Sequence, residues 1–168
     1  FKKVKWYFGK EIEIPEEWEV SPIEKFLDIV MGLSPPSETY NSDSNGLPFF
    51  QGNVDFGEIF PETRIWCSKP NKIAKSNQIL LSVRAPVGEI NLTNFECCIG
   101  RGLATLIPIK SDLMYCFHLL KFHSNKLRQF SQGSTFEAIN RQHIADLLLP
   151  FTKNIQEQNQ IASILSNV

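Results

Sequence analysis

Long apolar runs are missing from this 168-residue chain, so no segment has the length to span a bilayer as a helix. The opening stretch, Phe1-Lys2-Lys3-Val4-Lys5-Trp6, lacks the apolar segment of a signal peptide. It also lacks an initiator Met, which predicts a trimmed start. Cysteine is scarce. The four residues Cys67, Cys97, Cys98 and Cys116 include no C-x-x-C pair. That spacing disfavours a zinc site and a disulfide framework, and favours reduced, buried thiols in a cytosolic protein. Cys97 and Cys98 are neighbours, and in a strand they would point to opposite faces. Short catalytic motifs are missing as well. There is no G-x-x-x-x-G-K-[ST] loop, no G-x-G-x-x-G turn and no G-x-S-x-G elbow. His118 and His123 stand five apart, a poor spacing for sharing a metal, and His143 stands alone. The carboxylates gather in residues 11–28, which reads as a solvated acidic surface rather than an acid/base pair.

Acidic residues are themselves absent from two stretches, Arg64 to Gly88 and Leu113 to Phe136. Residues 1–62 hold five Lys and Arg against twelve Asp and Glu, while residues 63–168 hold twelve against six. A formal charge of −1 argues against indiscriminate nucleic-acid binding, but this asymmetry favours a basic surface on the second part. Each acid-free stretch contains or touches a turn-rich segment: Leu81-Ser82-Val83-Arg84-Ala85-Pro86-Val87-Gly88, and Gly133-Ser134-Thr135-Phe136-Glu137-Ala138-Ile139-Asn140. Gly, Pro, Ser and Thr beside apolar elements predict shaped loops on a scaffold, suited to an anionic polymer.

The length fits one domain with a sizeable core. Residues 10–20 read as an irregular acidic lead-in. Ser21-Pro22-Ile23-Glu24 has the form of a helix start, with Ile23, Phe26, Leu27 and Val30 on one face and Gly32 as the stop. Leu47–Gln51 predicts a strand with Pro48 at its start or on a sheet edge. Ile79–Val83 and Glu89–Leu92 predict a hairpin, and Cys97–Ile99 with Leu103–Ile107 a second one around Gly100-Arg101-Gly102. Ser111 predicts the cap of one long helix reaching Phe130, ended by Gly133. Asn140 caps a short helix, and Asn154-Ile155-Gln156-Glu157 has capping-box form. The last helix is still periodic where the chain ends, which predicts a longer parent helix.

Arg84 lies between a strand and a Pro-stiffened turn that Gly88 completes. Its guanidinium is suited to phosphate or guanine, and equally to a structural carboxylate or carbonyl. Arg101 repeats the arrangement between two glycines. Lys121, Lys126 and Arg128 read as ordinary helix-surface charges. For Ser134 and Thr135, phosphate contact and plain capping both stay open. Tyr40, Gln51 and Asn53 sit in polar connections; ordinary loop polarity is the stronger reading for each, and contact with bases the alternative.

The order of short motifs resembles the target-recognition domain of a type I restriction–modification specificity subunit. The similar elements are Ile14-Pro15-Glu16-Glu17-Trp18-Glu19-Val20, Gly32-Leu33-Ser34-Pro35, Leu47-Pro48-Phe49-Phe50, Ile79 to Gly88, Gly133-Ser134-Thr135-Phe136, Leu147-Leu148-Leu149-Pro150 and Glu157-Gln158-Asn159-Gln160-Ile161-Ala162. The resemblance implies a mixed α/β fold: a β-rich recognition domain over residues 1–153, with a long helix, and the start of a spacer helix over residues 154–168. It implies a non-catalytic, cytoplasmic component that reads one half of a split double-stranded DNA target. Arg84, Arg101, Ser134, Thr135, Tyr40, Gln51 and Asn53 are the expected DNA-facing residues. Ile155, Gln158, Ile161, Ala162 and Leu165 are the expected partner face. The implied partners are methyltransferase (modification) subunits, a restriction subunit, and a second copy or second recognition domain. No cofactor is implied for this chain; S-adenosylmethionine would be bound by the partner methyltransferase. The alternatives are the specificity region of a fused restriction–methylation enzyme, and a nuclease or hydrolase using Ser134 or Thr135.

Overall fold

Short segments rich in β-branched and aromatic residues fill the first two thirds of the chain, and in the computed structural model most of them are strands. The structure describes residues 1–131 and 138–168. In chain order the strands are β1 (Lys2–Lys5), β2 (Glu11–Ile14), β3 (Glu19–Pro22), β4 (Leu27–Met31), β5 (Tyr40–Asn41), β6 (Leu47–Phe50) and β7 (Trp66–Cys67). Next come β8 (Ile73–Ala74), β9 (Ile79–Ser82), β10 (Ile90–Leu92), β11 (Cys97–Ile99) and β12 (Leu103–Pro108). Helices α1 (Leu113–Phe122), α2 (Ser124–Ser131) and α3 (Arg141–Ala145) precede β13 (Leu148–Phe151) and the terminal α4 (Ile155–Ser166).

Two sheets form the body of the fold. One is antiparallel, in the order β10-β9-β12-β4; the other runs β5-β7-β6-β11-β8, with β6 and β11 parallel. Alternation along β9 sets the layers. Ile79 and Leu81 join the main core with Phe117, Leu120 and Ile144 of the helices. Leu80 points the other way, to Phe50, Cys97 and Ile99 between the sheets. Cys98 lies on the outer face with Phe49 and Cys67, so the two adjacent cysteines do point to opposite sides. All four thiols are free and buried. Burial pushes those of Cys97 and Cys116 up to about 12, which makes them inert packing groups.

Several expectations are overturned. The predicted helix from Ser21 to Gly32 is absent. Its residues form β3, a single 3₁₀ turn (Ile23–Lys25) and β4. Ser21 pairs with Leu149, and all five residues of β4 pair with β12, so long-range ladders outweigh the local capping signal. Residues 11–14 are not an irregular lead-in but the second strand of a hairpin with β1. Cys97–Ile99 and Leu103–Ile107 do not pair; β11 belongs to the five-stranded sheet and β12 to the four-stranded one. The expected single helix from Ser111 is two helices. Its cap is Asp112, whose carboxylate accepts from Tyr115 N–H. His123 divides α1 from α2, its ring packed edge-on against Trp6 and Phe122. Gly133, the predicted stop, lies outside the described residues.

The hairpin of β9 and β10 forms as expected. Pro48 falls at the second position of β6, where only the antiparallel β7 pairs with it. Asn140 caps α3. Asn154 accepts from Glu157 N–H at the start of α4. The carboxylate of Glu157, however, accepts from Trp18 Nε1 (3.0 Å) and Thr152 Oγ1 (2.8 Å). The capping box is therefore half made, and its acidic member ties α4 to the segment before β3.

Candidate nucleic-acid interface

The Leu81–Gly88 turn is built by its own serine. Ser82 Oγ, buried, donates to the Pro86 carbonyl (2.6 Å) and accepts from Glu89 N–H (2.9 Å). Gly88 sits at φ +95°, the left-handed region that favours glycine. Arg128 on α2 donates to the Val87 carbonyl (3.1 Å) and to Glu89 (2.9 Å), pinning the turn from outside. Arg84 stands exposed at the head of this braced turn.

Arg84 and Arg101 are brought together. Leu103 is paired with Ser82, and Val83 N–H donates to the Gly102 carbonyl (2.9 Å), so the turn that carries Arg101 lies beside the residue preceding Arg84. Both are exposed, and among the described residues neither makes an ion pair. Two exposed arginines at this end of the sheet place positive charge on it. Arg84 also forms a bridge with Ala138, and Ile139 N–H donates to the Val83 carbonyl (2.9 Å). The two turn-rich segments singled out in the sequence thus meet. Ser134 and Thr135 lie outside the described residues.

Tyr40 and Gln51 join the same region through a residue that the sequence did not single out. Ser34 Oγ donates to Gln51 Oε1 (2.9 Å) and accepts from the Arg101 backbone N–H (3.1 Å). Tyr40 lies over Phe49, with ring centroids 4.6 Å apart, and its hydroxyl donates to the Pro35 carbonyl (2.9 Å). Burial raises the Tyr40 pKa, so the phenol stays protonated. Glycines allow this convergence. A side chain on Gly32 would strike the Gly100 carbonyl, and one on Gly100 would lie 2.7 Å from Gln51 Oε1. Ser34 had one sequence signal, its place between Gly32 and Pro35 in a turn-forming run.

A family profile, the type I restriction modification DNA specificity domain, matches residues 15–168. The chain belongs to this family. A Methanocaldococcus jannaschii protein assigned as the MjaX type I restriction enzyme specificity subunit is 39% identical over 160 residues, spanning 93% of this chain and 37% of that protein. The crystal structure of the HsdS subunit from Thermoanaerobacter tengcongensis is 40% identical, with TM-score 0.80, covering 93% of this chain and 38% of its own. A type I restriction–modification S subunit from M. genitalium, 22% identical with TM-score 0.73, shares the fold over 92% of this chain and 40% of that one. The chain therefore spans about two-fifths of the length of these relatives.

Within the specificity domain, Asn53 does not join the Ser34 cluster. It lines a separate cleft of about 500 Å³ with Glu58, Glu89, Lys121 and Arg128. The helix cations are engaged internally: Lys121 reaches the Glu58 carbonyl, and Lys126 lies over the Trp6 ring. The expected partner face divides. Gln158 is fully buried, donating to the Thr152 carbonyl (2.7 Å) and accepting from Asp112 N–H (2.8 Å). Ala162 is buried and Ile161 packs on the core. Gln158 and Ala162 therefore hold α4 to its own domain, and are not free to meet a partner. Ile155 and Leu165 are exposed, as is Ile164, which the sequence reading omitted. Among the described residues, no three His, Cys, Asp or Glu side chains gather to hold a metal ion, and no helix is long and apolar enough to cross a membrane.

Proposed function

We propose that this specificity domain reads part of a double-stranded DNA target through the exposed ends of β6, β9 and β12. The carrying observation is the convergence of Arg84, Arg101, Gln51 and Tyr40 on one surface beside Ala138. The arginines supply charge for phosphates, and Gln51 supplies a polar group for base edges. The domain acts in the cytoplasm as the non-catalytic specificity part of a restriction–modification assembly. Methyltransferase subunits, which bind S-adenosylmethionine, and a restriction subunit carry out the chemistry. The outer side of α4, which carries the exposed Ile164 with Asn159, Gln160 and Ser163, is the face offered to such partners.

Duplex binding measured at several salt concentrations tests this reading. Affinity should fall linearly in log–log form, and Arg84→Ala and Arg101→Ala should each reduce the slope by about 0.9. Salt-insensitive binding, or none even with the methyltransferase present, would sink it.

A further inference from the structure

Three lysines ring a cavity at the end of the four-stranded sheet away from Arg84 and Arg101. Lys25 closes the 3₁₀ turn before β4, Lys110 comes after β12 and Lys153 after β13. The cavity holds about 460 Å³, and its apolar wall is Ile109 with the stacked rings of Phe26 and Phe151, centroids 4.0 Å apart. The backbone is braced there. Ile109 N–H donates to the Phe26 carbonyl (2.9 Å), and Ser111 Oγ to the Ile109 carbonyl (3.0 Å). Among the lining residues the one carboxylate is Glu19, already paired with Lys153 at 3.0 Å. Lys25 and Lys110 are exposed, and among the described residues neither makes an ion pair. Like charges around a concave, partly apolar wall focus a positive potential into it. Lys110 also holds φ +48°, a left-handed conformation that asparagine adopts more readily than lysine.

The fold also separates this cavity from the DNA-facing end. β12 begins at Leu103, near Arg101, and ends at Pro108, near Lys110; its six residues set the two ends roughly 20 Å apart. A duplex seated on Arg84 and Arg101 therefore faces away from the lysines. Phosphate contact calls for charge and donors alone, whereas this cavity joins charge to an apolar wall. Lys153 stands directly before Asn154, the cap of α4, so the cavity adjoins the start of the helix whose outer side is offered to partners.

We infer that this cavity docks an acidic segment of the methyltransferase subunit, with an apolar side chain against Ile109, Phe26 and Phe151 and carboxylates on Lys25 and Lys110. The inference rests on the assembly reading above and extends it from α4 to a second surface. Charge complementarity here fixes which segment docks and in what register.

Carbodiimide cross-linking, which joins amines to carboxylates, tests this on the protein assembled with purified methyltransferase subunit. Lys25 or Lys110 should be linked to an Asp or Glu of that subunit. Lys25→Glu with Lys110→Glu should weaken assembly by about tenfold or more, and reversing the cross-linked acid to Lys should restore it. Lys110→Asn removes the charge and suits the left-handed backbone. It should weaken assembly while the denaturation midpoint stays at or above that of the wild type, which separates lost docking from misfolding. Lys10→Glu, on the turn between β1 and β2, should assemble like the wild type. Duplex affinity and its salt slope should be unchanged in all of these variants. Wild-type assembly by the double variant overturns the inference while leaving the α4 face intact. A double variant that loses duplex affinity instead of assembly also overturns it, and assigns the cavity to DNA. A wild type that fails to bind the methyltransferase subunit overturns the assembly reading and this inference together.

Discussion

His123 shows how one side chain takes on a property that its position in the sequence does not reveal. Two histidines five apart on a predicted helix look alike, but His118 lies near the surface, 3.0 Å from Ser166, and His123 is buried between Trp6 and Phe122. Burial, with Lys126 nearby, lowers the His123 pKa from 6.5 to about 4. Between these values the unfolded chain binds a proton that the folded chain refuses, so stability falls as pH falls through that window. Chemical denaturation at pH 7 and pH 4.5 should show that loss in the wild type. His123→Phe, which keeps a ring but does not titrate, should flatten it; an unchanged pH dependence would assign the effect elsewhere. Arg84 and Gln51 were legible as polar residues in turn-rich segments, whereas Tyr40, read as part of a polar connection, lies half-buried in β5. Ser34 was not, because its role depends on contacts with residues 17 and 67 positions away.

At the scale of elements, local signals succeeded where the element is held locally and failed where a distant partner holds it. Asn140 and Asn154 cap their helices because the capping bond is made within three residues. The Ser21–Gly32 segment carries an equally good helix start, but its apolar residues are claimed by β12 and β13. The helix start at Glu157-Gln158 is a joint rather than a docking face. Gln158→Leu would leave Asp112 N–H and the Thr152 carbonyl without partners, at a cost of about 1–3 kcal/mol in equilibrium unfolding. If the variant is as stable as wild type, those bonds are not what fastens α4. Gly32 sits where the end of β4 meets the turn between β11 and β12. Gly32→Ala should cost about 1–3 kcal/mol by forcing that turn outward, and denaturant midpoints would register the loss.

Across the whole molecule, the acidic first part and basic second part do not separate into two lobes. The two sheets take strands from both, and β6 of the first part runs beside β11 of the second. Charge counting along the chain therefore pointed to a basic surface without locating it. Most helix cations are spent on internal contacts, whereas Arg84 and Arg101 make no ion pair among the described residues. Assembly is expected on the opposite account. Ile164 is 66% exposed on the outer side of the last helix, whereas Leu165 lines an apolar cleft with Trp6 and Tyr115. Ile164→Glu should weaken capture of the methyltransferase by about 2 kcal/mol or more in a pull-down titration while leaving the salt slope for DNA unchanged. Undiminished capture would remove α4 from the assembly face.

The residues alone determined the local features: the apolar run that becomes β9, the helix caps at Asn140 and Asn154, and the glycine turn at Gly88. Each depends on forces acting over a few residues, so each can be read within a short window. The order of short motifs carried the family. Tertiary structure alone decided that Ser21–Met31 is β rather than α, that Gln158 and Ala162 face inward, and that Ser34 gathers Gln51 and Arg101. Those outcomes depend on hydrogen bonds and packing between residues tens of positions apart, and no local propensity encodes which distant partner will arrive.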